Sequence, residues 1–401
     1  MKLWEEIEAA RNRIRRAILR TPTVYSDSLS RLTGKEIFLK LENLQKTGSF
    51  KVRGAYYKLS MLAPPRRKKG VVAASAGNHA QGVALASSIL GIRSTIVMPE
   101  GVSLAKQMAT QSYGGEVLLF GQTTDEALGY AKRLVKGGKI LIHPFDDEQV
   151  VAGQGTIGLE IMEEVPEVEA IIVPVGGGGL ISGIATIVKK KKPKVKIIGV
   201  QSIHAPSAFY SLKREEIVET KVKPTLADGI AIRRVGEITF PLIQKGVDEI
   251  VTVTENEIAS AILTLMERKR IVAEGAGAAP LAALLSRRFK IRCQRIVLVI
   301  SGGNIDVHLL DRIIEKGLAQ TGRLVRFSIL LRDVPGSLAK LSGLVAQHRA
   351  NILHIIHERA AKDIPIGFSK VILVLETRGS DHIHEIKKGL EGKGYSLQRM
   401  S

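Results

Sequence analysis

Residues 43–55 read NLQKTGSFKVRGA and place one lysine, Lys51, beside Gly48, Ser49 and Phe50. An amine attacks a carbonyl only when deprotonated, so covalent chemistry at Lys51 needs surroundings that disfavour its ammonium, through desolvation or nearby cations. Phe50 offers an apolar wall, and Gly48 lets the backbone come close. Taken alone, one lysine among 59 Lys and Arg reads as a solvated surface residue, so its weight comes from the motifs that accompany it.

Three such motifs follow. Residues 71–74 (VVAA) run into Ser75-Ala76-Gly77-Asn78-His79-Ala80-Gln81-Gly82, and residues 170–175 (AIIVPV) into Gly176-Gly177-Gly178-Gly179. Residues 296–300 (IVLVI) run into Ser301-Gly302-Gly303-Asn304. Each reads as an apolar strand, a tight turn and the opening of a helix. Turns at the carboxyl ends of parallel strands are where α/β folds bind ligands, and the free amides of a helix N-terminus suit a phosphate. Each turn singly has a plainer reading, glycine for close packing. None fits GxGxxG or GxxxxGK[ST], which weighs against nicotinamide and nucleoside triphosphate sites.

The elements that must position these turns are legible around them. Trp4, Ile7, Ile14 and Ile18 keep helical spacing, and Thr21-Pro22-Thr23 stops that helix. A strand through Ile37, Leu39 and Leu41 delivers the chain to the lysine segment, and a helix carrying Tyr56, Tyr57 and Leu59 leaves it. Further strand-like runs lie at 92–98, 116–120, 139–142 and 195–200, which makes the chain α/β with largely parallel sheets.

The lysine segment and these turns, in this order, resemble the fold-type II enzymes dependent on pyridoxal 5'-phosphate (PLP), tryptophan synthase β-like in fold, and most closely the threonine and serine dehydratases. The resemblance covers about residues 5–318. It implies that Lys51 is the Schiff-base lysine and the base that takes the substrate Cα proton, with Phe50 packed by the ring. Ser75, with the backbone around Asn78 and His79, would hold the substrate carboxylate, and Asn78 would also meet the cofactor's phenolic oxygen. Gly176, Gly177, Gly178 and Gly179 would cradle the phosphate, and Ser301 would face the pyridine nitrogen. The implied reaction is β-elimination of L-threonine to 2-oxobutanoate and ammonia, and of L-serine to pyruvate. In serine racemases the residue after the carboxylate-binding serine is a second serine that protonates the opposite face. Here it is Ala76, so racemisation lacks its second acid. Their metal-binding carboxylates have no counterpart in Gln201–Ser207, and no metal is carried over. His79 reads first as a hydrogen-bonded support rather than an acid or base. Two readings of Glu274 stand side by side, a contact with the amine region or a monovalent cation, and a helix N-cap.

Beyond residue 320 the pattern changes to βαββα with a short last strand near Ser396. Its first loop, Asp333-Val334-Pro335-Gly336-Ser337-Leu338, matches the DxPGxL pattern of ACT domains, the small ferredoxin-like modules that sense amino acids. That resemblance implies a regulatory site at Asp333, Pro335, Gly336 and Leu338; the alternative is a plain ferredoxin-like dimerisation domain. The expected domains are 1–67 with 148–320 (large, PLP-binding), 68–147 (small) and 324–401 (ACT-like). A homodimer or homotetramer with an amino-acid effector is expected.

Composition bounds the alternatives. The chain has 401 residues, 45% hydrophobic, with 39 glycines, which describes an ordered protein of several domains. Its net charge of +20 raises nucleic acid as a partner, but Arg66–Lys69 and Lys189–Lys192 read as solvated element ends with no groove-entering basic helix. Single Cys293 excludes an internal disulfide and suits a reducing cytosol. No run approaches the roughly 20 apolar residues of a membrane span. The N-terminal arginines resemble a transit peptide, but Glu5, Glu6 and Glu8 favour a structural helix and a cytoplasmic protein. An L-serine dehydratase or other β-eliminating enzyme, and a non-catalytic amino-acid-binding regulator, remain as competing readings.

Overall fold

The computed structural model describes residues 2–286 and 292–400. The chain forms two compact units, one ending at Ile305 and one beginning at Asp306. In chain order the strands of the first unit are β1 (Thr23–Tyr25), β2 (Glu36–Leu41), β3 (Val71–Ala74), β4 (Ser94–Met98), β5 (Glu116–Leu119), β6 (Ile140–Leu141), β7 (Ala170–Pro174), β8 (Lys196–Ser202), β9 (Glu249–Val253) and β10 (Arg295–Ile300). They build a six-stranded sheet in the order β1-β2-β10-β7-β8-β9 and a four-stranded sheet in the order β5-β4-β3-β6. Only β1 runs antiparallel to its neighbour. Buried runs such as IVLVI and AIIV are what two-sided coverage of a parallel sheet requires.

Parallel register decides where the chemistry collects. Ile300 lies opposite Leu41, and Leu298 opposite Ile172, so β2, β10 and β7 release their chains at one edge of the large sheet. The lysine segment, the Ser301 turn and the glycine turn therefore start side by side. The third turn departs from the expected strand-turn-helix form. Residue 302 bridges Ser49, and the following helix begins only at Val307. Backbone pairing with the lysine segment has taken the place of a helix N-terminus.

The helix Lys51–Ser60 is packed against Asn78–Ile89 and Glu148–Glu164. Close approach forces glycine at the crossing: a Cβ on Gly54 would lie 2.6 Å from the Val150 oxygen, and one on Gly153 2.6 Å from the Gly54 Cα. The same crossing buries Arg53, whose Nε and Nη2 donate to the two Glu42 oxygens at 2.8 Å each. Nη1 and Nη2 also reach Glu160, at 2.7 and 2.9 Å. Lys40, fully buried, completes the cluster at 2.7 Å from Glu160. The N-terminal helix is Leu3–Ile14, with Ile7 and Ile14 in the core. Ile18 is buried beyond its end.

The second unit holds β11 (Leu324–Arg332), β12 (Asn351–Glu358), β13 (Phe368–Glu376) and β14 (Leu397–Met400), ordered β12-β13-β11-β14 and antiparallel throughout. Helices Ser337–Gln347 and Ser380–Glu391 pack on it through Leu341, Val345, Ile383, Ile386 and Leu390. The helix Val307–Gln320 also falls in this unit, ahead of the 324 start expected from the sequence, because it packs on β11, where Glu315 pairs with Arg326. Strand β12 is an edge strand with Leu353, Ile355 and Ile356 exposed. Among the described residues no helix is long and apolar enough to cross a membrane.

Removing one member of the buried charge cluster tests its coupling to folding. Glu42→Ala leaves the Arg53 guanidinium short of its bidentate partner, and about 3–5 kcal/mol of stability is lost. Urea unfolding should show a lower midpoint with an unchanged slope.

Candidate active site

Lys51 is the first residue of its helix, so the positive end of the helix dipole lies beneath it. Its Nζ donates to the Pro144 carbonyl at 2.9 Å and sits 5.3 Å from the Phe50 ring centroid. Loss of water around the amine lowers its pKa to about 8, with the Glu274 charge opposing the shift. The segment is held by backbone pairing with the β10 turn: Phe50 N donates to Ser301 O at 3.1 Å, and Gly303 N to Gly48 O at 2.9 Å. Ser301, 2% exposed, is thereby set next to Phe50 and Lys51.

Opposite stands the turn after β3. The Ser75 hydroxyl accepts from Gly77 N at 3.2 Å, and the helix Asn78–Ile89 starts immediately after, with its first amides free of helical partners. The Asn78 side chain donates to both Glu274 oxygens, at 2.8 and 3.0 Å, and its own oxygen accepts from Asn304 Nδ2 at 2.8 Å. Asn304 Nδ2 also reaches the Thr47 carbonyl at 2.8 Å, closing the network onto the lysine segment. The His79 ring is buried against the Ile142 carbonyl at 2.8 Å. Burial, reinforced by the Lys51 charge, pulls its pKa down to about 3, so the ring is neutral and its Nε2–H is spent on that carbonyl. Its ring is thus a support, and its backbone amide, in the first turn of the helix, is free for a ligand.

Glu274 occupies the N-cap position of helix Gly275–Leu285, yet its side chain makes no cap bond. It turns into the crevice toward Asn78, which sets aside the capping role. Burial raises its pKa to about 7, the Asn78 hydrogen bond pulling the other way and Asp228 adding to the rise. A carboxyl group thus stands where the sequence motifs had none. A Cβ on Gly302 would lie 2.4 Å from Glu274 Oε1, so any larger residue there must displace this carboxylate.

The glycine turn after β7 opens helix Gly179–Lys191, with Gly178 at φ +101°. A Cβ on Gly177 would lie 2.4 Å from the Phe145 ring, and one on Gly178 2.8 Å from Thr239 Oγ1. Bare backbone amides at a 13-residue helix N-terminus, in a cradle that any side chain would fill, fit a phosphate dianion. A primary amine at the next turn fits the aldehyde of PLP, so the residues present suit that cofactor.

Residues 14–302 match the family described as pyridoxal-phosphate dependent enzymes. The chain belongs to that family. The enzyme is 52% identical to an L-threonine ammonia-lyase of Thermotoga maritima, over 98% of both chains. It superposes on the processed threonine deaminase isoform 2 of Solanum lycopersicum with a TM-score of 0.75 at 40% identity, covering 78% of this chain and 92% of that one. Serine racemase of Dictyostelium discoideum gives a TM-score of 0.72 at 39% identity, covering 76% and 99%.

Sequence reasoning missed Asn304 as a partner of Asn78, although it had the Ser301–Asn304 motif in hand. It also passed over Pro144 and Phe145, which leave the carboxyl end of β6 and so fall under the same rule that picked out the other turns.

The Glu274 carboxyl should titrate near neutrality in the free enzyme. Glu274→Gln fixes the neutral form, and the pH profile of kcat/KM for the amino-acid substrate should lose an inflection near pH 7 that the parent shows.

Proposed function

We propose that this PLP-dependent enzyme is an L-threonine ammonia-lyase, converting L-threonine to 2-oxobutanoate and ammonia and L-serine to pyruvate and ammonia. The observation that carries the reading is one crevice holding the Lys51 amine, the amides at Asn78 and the glycine cradle, within a full-length resemblance to a protein of that name. When bound, PLP supplies a conjugated ring that accepts the electron pair left when the substrate Cα–H bond breaks.

The chain's residues do the rest. The Lys51 amine, its pKa lowered to about 8 by a site that disfavours the ammonium, takes the Cα proton at Nζ from its deprotonated form. Ser75 Oγ and the amides of Asn78 and His79 hold the substrate carboxylate at the positive end of their helix. Gly176 to Gly179 would hold the cofactor phosphate, and Asn78 would meet the phenolic oxygen. Ser301 would face the ring nitrogen, where a neutral hydroxyl would not hold a proton as a carboxylate would. The β-hydroxyl departs with one proton as water, which balances the proton that Lys51 Nζ took from Cα. The released enamine regains water, giving the 2-oxo acid and ammonia.

A second enzyme reading is preference for L-serine, which relative turnover on the two substrates decides. The large catalytic domain is assigned to 1–67 with 148–305, the small one to 68–147, and the location to the cytoplasm. We assign the second unit to the ACT class on its βαββαβ order and on a hollow of about 500 Å³ beside Asp333, Pro335, Gly336 and Leu338. Asp333 and Arg359, paired at 2.9 Å on its rim, offer opposite charges to the two ends of a zwitterion. The exposed apolar edge of β12 suits pairing with a second copy, as a homodimer or tetramer requires.

Two outcomes test these assignments. Purified protein should show a visible cofactor band and form 2-oxobutanoate from L-threonine, with band and product both lost in Lys51→Ala. Asp333→Ala should leave basal kcat within about twofold, as expected away from the catalytic site, while a screen of branched-chain amino acids that alters parent activity leaves the variant unaffected.

A further inference from the structure

The turn from His143 to Asp146 leaves the small sheet after β6 and touches both halves of the site. His143 Nδ1 accepts from Asp146 N at 2.8 Å and from Phe145 N at 3.4 Å, which requires the neutral ring with its proton on Nε2. Burial keeps that ring neutral, and the Lys51 and Lys132 charges act in the same direction against the pull of Asp146 and Asp147. Pro144 has a fixed φ and no N–H of its own to pair, and its carbonyl accepts from Lys51 Nζ at 2.9 Å. Phe145 lies against the glycine cradle, where no Cβ on Gly177 or Gly179 could stand clear of it.

Asp146 reaches further. Its carboxylate accepts from the amides of Glu237, Ile238 and Thr239 at 3.1, 2.8 and 3.3 Å. Thr239, so held, donates its hydroxyl to the Gly177 carbonyl at 2.7 Å, and Gly236 N donates to the same oxygen at 3.2 Å. One turn of four residues therefore bears on the amine by a carbonyl and on the back of the cradle by a carboxylate.

We propose that the His143–Asp146 turn is the positioning element that sets the Lys51 amine and the glycine cradle at a fixed separation. The inference rests on the roles proposed for Lys51 and Gly176 to Gly179. A cofactor of rigid length must meet both at once, and a misplacement of about 1 Å costs on the order of a hundredfold in rate. A neutral amine has two N–H bonds and one lone pair. With one N–H on Pro144 O, the lone pair is turned away from that carbonyl, toward the crevice. His143, Asp146 and Thr239 act through the backbone and touch no reacting atom.

The test uses the full chain, stripped of PLP and titrated with it while the visible band is followed. Thr239→Val, which keeps shape and removes the one hydroxyl, should weaken PLP binding about tenfold, the scale of one buried hydrogen bond. His143→Leu should lower kcat about a hundredfold with KM for L-threonine little changed. His143→Asn, whose Oδ1 can accept where Nδ1 did, should restore most of the loss. Overturning results are Thr239→Val binding PLP as the parent does, His143→Asn no better than His143→Leu, or losses that merely follow the apoprotein Tm. A parent without a Lys51-dependent band overturns the cofactor roles and this inference together. A normal parent with indifferent variants overturns the turn's role alone.

Discussion

The buried charge of Arg53 is the constraint on which the site depends. Arg53 lies two residues after Lys51, about 200° around the helix, so the two side chains leave on nearly opposite sides. Glu42 and Glu160 hold the guanidinium inward with four hydrogen bonds, and that fixes the rotation of the helix. Lys51 is then left with one direction, into the crevice. A buried pair of this kind contributes little net stability compared with apolar residues, but losing either partner is expensive, so it acts here as a lock on orientation. The glycines at the helix crossings allow the packing that buries it.

A single physical effect, loss of water, prepares three ionisable groups for different duties. It lowers the amine of Lys51 to about 8, raises the carboxyl of Glu274 to about 7 and lowers the ring of His79 to about 3. The first is thereby available as a base near neutral pH, the second changes charge in the same range, and the third is inert. The hydrogen-bonded amides Asn78 and Asn304 connect the carboxyl to the lysine segment without adding charge of their own.

Much of the fold was legible because period and punctuation agree. VVAA, AIIVPV and IVLVI are buried strands, and their glycine turns mark the ligand edge of each sheet. What sequence could not give was the pairing of distant segments. Nothing local in Ser301-Gly302-Gly303-Asn304 announces that it will bridge Ser49 instead of opening a helix. Nor does Ala273-Glu274-Gly275 tell whether the carboxylate caps its own helix or crosses to Asn78, which is settled by burial and by what stands opposite. The 143–146 turn was readable in principle, since it follows a parallel strand, but β6 has only two residues and a weak pattern.

The close packing of Gly302 on Glu274 reaches beyond the present chemistry. In the wall formed by Gly302, Glu274 and Ser49, one added carbon would push the Glu274 carboxylate aside. Across from it, a Cβ on Gly77 would meet nothing within 4 Å. Divergence of this scaffold toward other amino acids is therefore asymmetric: a side chain added at 302 must displace the carboxylate that Asn78 holds, while one added at 77 meets no protein atom.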